Sequence, residues 1–396
     1  VPRPALAGKI RDSRDFGRLD GGQDRRPLLQ TQISPFLHHN FCRKCVQPNQ
    51  GSNMRATILL GVKNEGAFLI EWLAHHRATG FTDFLIYSND CSDGTDLMLD
   101  RLQAMGQLTH IRHDGPHEEG PQWAMLKAAD KHPLVKQADW LLFCDIDEFV
   151  NIHVGDRTLP ALLATLPDAT AIPLTWRMFG NAGVTEITDT PVTQTFTRAA
   201  RATFAWPWRA QMFKTLFKND GTYRKFGVHR PRSPNPDRIA QARWFDGSGR
   251  ELPPAFHTGR IFSDYTADNY QLAQLNHYAL GSMQNYLVKA DRGRANREAS
   301  GFDMGYWVER NFAEVEDTSI QALNSQSLRQ DLLNDPILKD LHLSALAWRK
   351  ARFSALMQAE PWRALYGRLL MTPPSHSLTV EEAKDLLRYA QANSAN

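Results

Sequence analysis

Three acids fall within four positions at the end of an apolar run. The stretch "DWLLFCDIDEFV", residues 139–150, places Asp145, Asp147 and Glu148 directly after residues 140–144. In extended backbone, Asp145 and Asp147 project to one face. Two carboxylates held together repel, and one resists ionising unless a cation neutralises them. Hard divalent ions such as Mg2+ or Mn2+ prefer oxygen ligands, and Mg2+ commonly joins one or two carboxylates to substrate phosphates. The chemistry on offer is a metal seat for a diphosphate; the alternative is a solvated acidic loop. A second group, "SNDCSDGT" at 88–95, offers Asp90 and Asp93 as acceptors for ribose hydroxyls or base N–H groups. Gly94 there permits a tight turn and Thr95 can cap a helix, so a plain turn fits the same residues.

These groups need a scaffold. Residues 56–62, "ATILLGV", form an apolar run of buried-strand length. After it, Phe68, Leu69, Trp72, Leu73 and His76 recur on one helical face, with Asn64 as N-cap and Gly80 as stop. Residues 81–87, 108–113 and 139–144 read as further strands, and 96–105 and 121–132 as helices. Alternating strands and helices predict a mostly parallel α/β sheet covered on both faces. Ligands of such sheets bind beyond the carboxyl ends of the strands, where both acidic groups fall. Residues 151–260 read as short strands and long loops built onto the same sheet. The chain turns helical again from about residue 264.

The bulk numbers agree. A chain of 396 residues, 42% hydrophobic, makes one large or two smaller domains. A formal charge of +3 argues against a dedicated nucleic-acid binder. Cys42 and Cys45 form a lone CxxC with no second pair, a poor zinc site, and Cys91 and Cys144 read as reduced thiols. No window reaches a membrane span, and no basic-then-apolar leader is seen. The expectation is a soluble cytoplasmic protein, with peripheral contact at the inner membrane face left open. Residues 1–53 show no clean period and read as a disordered or non-native N-terminal arm. Residues 54–320 then form the main domain, and 321–396 a helical C-terminal extension.

Together the segments resemble a family-2-like bacterial glycosyltransferase with the nucleotide-sugar-binding, Rossmann-like GT-A fold. The resemblance rests on Lys63-Asn64-Glu65, on Glu71-Trp72 with His75-His76 and Gly80, on "SNDCSDGT", on Gln122, and on "DWLLFCDIDEF". It continues through "TWRMFGNAG" (175–183), "NHY" (276–278), "KADRGRAN" (289–296) and "RNFAEVEDTSI" (310–320). The loop departs from the usual pattern, with Ser88-Asn89 where an acid often stands.

The resemblance implies transfer of a sugar from a nucleotide diphosphate donor to an acceptor hydroxyl, with inversion, in surface polysaccharide or glycoconjugate synthesis. The acceptor would be a glycan or glycolipid. It implies Mn2+ or Mg2+ on Asp145 and Asp147, the DxD motif, completed by His277, with His229 and His257 as rivals. Asn64, Glu65, Asp90, Asp93 and Gln122 fall near the donor. Lys289, Arg292 and Arg294 can add positive charge for the leaving diphosphate, or form a solvated helix face. Asp147 and Glu148 are the catalytic candidates, Glu148 as general base if a turn brings it in; Glu186 and Asp189 are the other carboxylates. Trp176 and Phe179 are placed at the acceptor, with Trp206 and Trp208 as further stacking or core aromatics. The competing readings are a non-catalytic nucleotide- or sugar-binding protein on the same fold and a nucleotidyltransferase. The segment "GVKNEGAF" serves the latter poorly, and no GxGxxG supports a dehydrogenase.

Overall fold

The computed structural model describes residues 54–203, 205–293 and 303–394. The expected N-terminal arm, the CxxC and Arg294 lie outside the described residues. By its internal contacts the chain divides at Gly51/Ser52, and everything below concerns the second unit, Ser52–Asn396.

The periodic segments form the predicted elements with small shifts. In order they are β1 (Ala56–Val62), α1 (Gly66–Ala78), β2 (Asp83–Ser88), α2 (Thr95–Ala104), β3 (Thr109–Arg112), α3 (Pro121–Ala129) and β4 (Trp140–Phe143). Next come β5 (Glu148–Ile152), β6 (Ala171–Met178), β7 (Phe213–Lys218) and β8 (Ala273–His277). Helices α4 (Met283–Arg292), α5 (Gln326–Leu333), α6 (Pro336–Leu356), α7 (Glu360–Met371) and α8 (Val380–Ser394) follow. Two caps differ from expectation. Helix α1 is capped at Glu65, because Asn64 adopts a left-handed φ of 55° and turns its side chain to the neighbouring loop. Helix α2 is capped by Gly94 at φ 85°, which frees Thr95 to bond elsewhere.

Among the described residues, eight strands join in the order β3-β2-β1-β4-β7-β6-β8-β5. The β3/β2, β2/β1, β1/β4 and β6/β8 pairings are parallel, and β4/β7, β7/β6 and β8/β5 antiparallel. Strands β6 and β7, from the irregular middle of the chain, are built into the same sheet as expected. The architecture is the anticipated α/β one: a mostly parallel sheet flanked by helices, with a helical C-terminal region.

The connection from β4 to β5 bends this sheet. Glu148 N–H donates to Asp145 O at 3.1 Å, so a tight turn carries the chain from one strand to the other. Across a flat sheet those strands, four places apart, would be separated by about 19 Å. A turn of this kind spans under about 7 Å. The far edge must therefore curl back toward the end of β4, and the acidic turn sits in the crook.

Two apolar layers cover the sheet. One holds α1 and α2 with Trp72, Leu73, Met98 and Leu99; the other holds α3 with Met125 and Leu126. Helix α1 is buried almost all round, from Leu69 to His76, because α6 covers its outer side. The approach is close enough that a Cβ on Gly66 would lie 2.8 Å from Ala345 Cβ. Among the described residues, no helix is long and apolar enough to cross a membrane.

Candidate functional site

Helix α1 fixes the acidic turn. Trp72 Nε1 donates to the carbonyls of Asp145 and Glu148, both at 3.1 Å. His75 Nε2 donates to Val150 O at 2.7 Å, and His76 donates through Nδ1 to Trp72 O while its Nε2 accepts from Val150 N–H. The "EW..HH" segment is thus a clamp on the turn and on β5. Burial keeps both imidazoles neutral by lowering their pKa values, that of His75 to about 4.

Within the turn the two aspartates part company. Asp145 Oδ2 lies 2.8 Å from Lys214 Nζ, on β7. Asp147 Oδ2 lies 2.6 Å from Lys289 Nζ, on α4, and 3.7 Å from His277 Nε2. Burial opposes ionisation of Asp147, but Lys289 and His277 hold its carboxyl well below the usual range. Burial lowers the pKa of His277, and Asp147 works against that shift. Lys214 is sealed in, its side chain 1% exposed. Burial works against its charge, yet Asp145 and Glu148 hold the amine up at about 12.

The residues do not fit the expected metal seat. Among the described residues, no three His, Cys, Asp or Glu side chains are grouped to hold an ion. The aspartates meet two ammonium groups instead of converging on a cation. His277 is the histidine beside Asp147. His229 donates through Nδ1 to Phe213 O at 3.0 Å, and His257 is buried against Trp244.

Glu148 does not reach a cleft. It is fully enclosed, with one oxygen accepting from Asp145 N–H at 2.8 Å and the other from Trp176 Nε1 at 2.6 Å. Burial pushes its carboxyl up to about 8. Its geometry is that of a brace for the turn and corrects the expectation of a base. Trp176 is correspondingly buried, bonded to Glu148 and packed 4.5 Å from His277. Phe179 is core, 4.8 Å from Tyr278. Neither aromatic presents a face to an acceptor.

The donor-side residues divide similarly. Asn64 Oδ1 accepts from Ser92 N–H at 2.7 Å and lines a cavity. Asp93 is buried: one oxygen accepts from Gly66 N–H at 3.0 Å, the other from Thr95 N–H at 2.9 Å and Thr95 Oγ1 at 2.5 Å. It stitches the loop after β1 to the loop after β2 and has no oxygen aimed at a ligand. Asp90 is exposed, at φ 45°, with Oδ1 accepting from Gly115 N–H. Gln122 lies half-buried in the first turn of α3 and lines neither cavity described here. Glu65 pairs with Arg292 and, at 3.5 Å, with Arg349.

Two adjoining cavities open here. The larger, about 360 Å³, is lined by Asn64, Ser92, Arg292, Trp348, Arg349 and Arg352, with Asp291 and Val288. The smaller is lined by Glu65, Asp147, Lys289 and Arg349, among others. Arg349 borders both, donating to Asn64 O at 3.0 Å and Asn285 Oδ1 at 2.6 Å. Sequence reasoning missed Lys214 and the three α6 residues Trp348, Arg349 and Arg352. Lys214 left a signal, a lone charge inside "MFKTLF" that a buried strand must neutralise. The α6 residues left none, because nothing local marks Arg349 for Asn64, which lies 285 positions earlier.

The family model for glycosyltransferase family 92 matches residues 59–243. That family is distinct from the family-2-like branch that the motifs resemble. The match takes in Asn64, Asp93, Asp145, Asp147 and Lys214 but not α4 or α6. A glycosyltransferase family 92 protein of Ricinus communis is 28% identical over 148 residues, 34% of this chain and 24% of its own length. One from Oryza sativa subsp. japonica is 27% identical over 143 residues, 34% and 23% respectively. The chain thus spans about a quarter of the length of these relatives. Among solved structures, S. aureus TarS 1–349 in complex with UDP is similar at TM-score 0.30 and 11% identity, covering 77% of this chain and 92% of that one. Glucosyl-3-phosphoglycerate synthase from Mycobacterium tuberculosis, in complex with Mn2+, UDP and glucosyl-3-phosphoglycerate, is similar at TM-score 0.23 and 15% identity, covering 32% and 45%.

Proposed function

We propose that this chain is a glycosyltransferase that moves a sugar from a nucleotide diphosphate donor to an acceptor hydroxyl, with inversion. The observation that carries the reading is the polar cavity at the carboxyl ends of β1 and β2. Asn64 and Ser92 line it together with Arg292, Arg349 and Arg352, three guanidinium groups against two acids, since Glu65 pairs with the first two and Asp291 with the third. Such a cavity suits an anionic ligand with a polar, planar end. It adjoins the cavity holding Asp147 and Lys289, where the transferred sugar would lie. The family 92 match over residues 59–243 supports the same reading, as do the family-2-like motifs.

In the reaction the bond from the sugar's anomeric carbon to the diphosphate breaks, and its electron pair stays on the phosphate oxygen. The acceptor oxygen forms the new bond from the opposite side, and its proton passes to a carboxylate. Glu148 is enclosed and unsuited to that task. Glu186 and Asp189 are exposed on a segment leading to Val192, which lines the smaller cavity. Asp189 is tied to Arg329 and His342, which leaves Glu186 as the acceptor-side carboxylate in this proposal. The acceptor is read as a glycan or glycolipid of the cell surface, and the working place as the cytoplasm, at the inner membrane face.

The test is to incubate the protein with UDP-, GDP-, ADP- and dTDP-sugars and measure released nucleoside diphosphate. Release with one donor supports transfer or donor hydrolysis. The enclosure of Glu148 favours a second reading, binding without turnover; calorimetric binding of a donor with no release would establish it.

A further inference from the structure

A pair of carboxylates on one tight turn needs positive charge nearby, and a hard divalent ion is the usual source. Here each carboxylate already has an ammonium group, delivered by a different element. Lys214 comes from β7, 69 residues after Asp145, and Lys289 from α4, 142 residues after Asp147. Neither is a loose surface contact. The Lys214 ammonium is enclosed, 4.3 Å from the centre of the Phe143 ring and 3.8 Å from Glu148 Oε2. Lys289 also donates to Ala279 O at 2.7 Å, which fixes its head beside Asp147. A divalent ion on Asp145 and Asp147 would confront both ammonium groups. Displacing Lys214 from Asp145 would leave its enclosed ammonium with Glu148 alone, at 3.8 Å, a costly arrangement.

We propose that Lys214 and Lys289 take the place of the divalent cation, and that the donor's diphosphate is received by Lys289 together with Arg292 and Arg349. The inference rests on the donor reading given above. Lys214 is sealed from any ligand and acts only by neutralising Asp145. Lys289 stands on the wall of the smaller cavity, Arg292 on that of the larger, and Arg349 on both. A diphosphate lying across their junction meets all three cations. Oriented cations in an enclosed site stabilise such an anion without an ion carried in from solution.

The experiment is calorimetric titration of the full chain with UDP, GDP, ADP and dTDP, once in EDTA and once in MnCl2. One of these nucleotides is expected to bind in EDTA, with its Kd changed less than about twofold by Mn2+. Lys289→Met should weaken that binding about ten- to a hundredfold, as loss of a charge-assisted contact does, and Lys289→Arg should retain most of it. Binding that appears only with Mn2+ overturns the proposal and leaves the donor reading standing. No binding in either buffer overturns both. The wild-type comparison decides the matter even where a lysine variant fails to fold.

Discussion

Lys214 Nζ and Asp145 Oδ2 are 2.8 Å apart, the lysine wholly enclosed and the aspartate partly open to solvent. The pair joins β7 to the acidic turn. Replacing Lys214 by Met leaves Asp145 without its counter-charge, and because that carboxylate is partly open to water the cost is about 1–3 kcal/mol, below that of a fully buried pair. Urea denaturation of Lys214→Met should show that loss. Adding Asp145→Asn should recover part of it, because the uncompensated charge is then gone. Equal losses in the single and double variants would mean that the pair contributes only by packing.

Asp93 and Asp90 lie three positions apart and should behave differently. Asp93 accepts three hydrogen bonds in a buried setting. Asp93→Ala strands the Gly66 and Thr95 donors and should cost about 3 kcal/mol in urea denaturation. It should also weaken nucleotide binding, since Asn64 and Ser92 lose their relative placement. Asp90→Asn, which suits the left-handed backbone and keeps an acceptor for Gly115 N–H, should change stability by less than about 0.5 kcal/mol.

The His75–His76 clamp predicts acid sensitivity. Both folded-state pKa values are lowered by burial, that of His75 to about 4. Below about pH 6.5 the unfolded chain takes up protons that the folded chain refuses. The contribution of His75 is therefore complete above that pH and fades as pH falls toward 4, by about 1.4 kcal/mol per pH unit. Denaturation midpoints at pH 7.5, 6 and 5 measure the slope. His75→Gln keeps a donor for Val150 O and cannot be protonated, so its slope should be shallower than the wild type's.

Gly180 belongs to the "FGNAG" segment and is held by backbone from a distant stretch. A Cβ there would lie 2.2 Å from Phe312 O, and the neighbouring Asn181 N–H donates to Asn311 Oδ1 at 2.8 Å. Gly180→Ala should destabilise by about 3 kcal/mol through overpacking. A denaturation midpoint indistinguishable from wild type would show that the two segments can part without cost.

The pattern of what could be read in advance follows from the range of the forces involved. The β-α alternation from residue 56 to 144 is written in local periodicity and recurs in the structure within one or two residues at most boundaries. The acidic turn was visible for the same reason, as charge abutting an apolar run. The partners of those acids were not, because Lys214 and Lys289 arrive from elements that only the curled sheet brings near. Burial likewise comes from assembly, which is why Glu148, Asp93, Trp176 and Phe179 have the right residue types for a site and serve as braces or core. The residues of α6 look like any helix until Arg349 is seen to reach Asn64.

That last contact has a consequence for how the protein is made. Arg349 leaves the ribosome 285 residues after Asn64. Chains fold progressively from the N-terminus as they are synthesised, so the sheet can assemble while the wall of the larger cavity is still untranslated. A nascent chain stalled before residue 349 would carry the acidic turn and both loops yet lack a finished place for a nucleotide, and the capacity to bind one would come only once α6 has emerged.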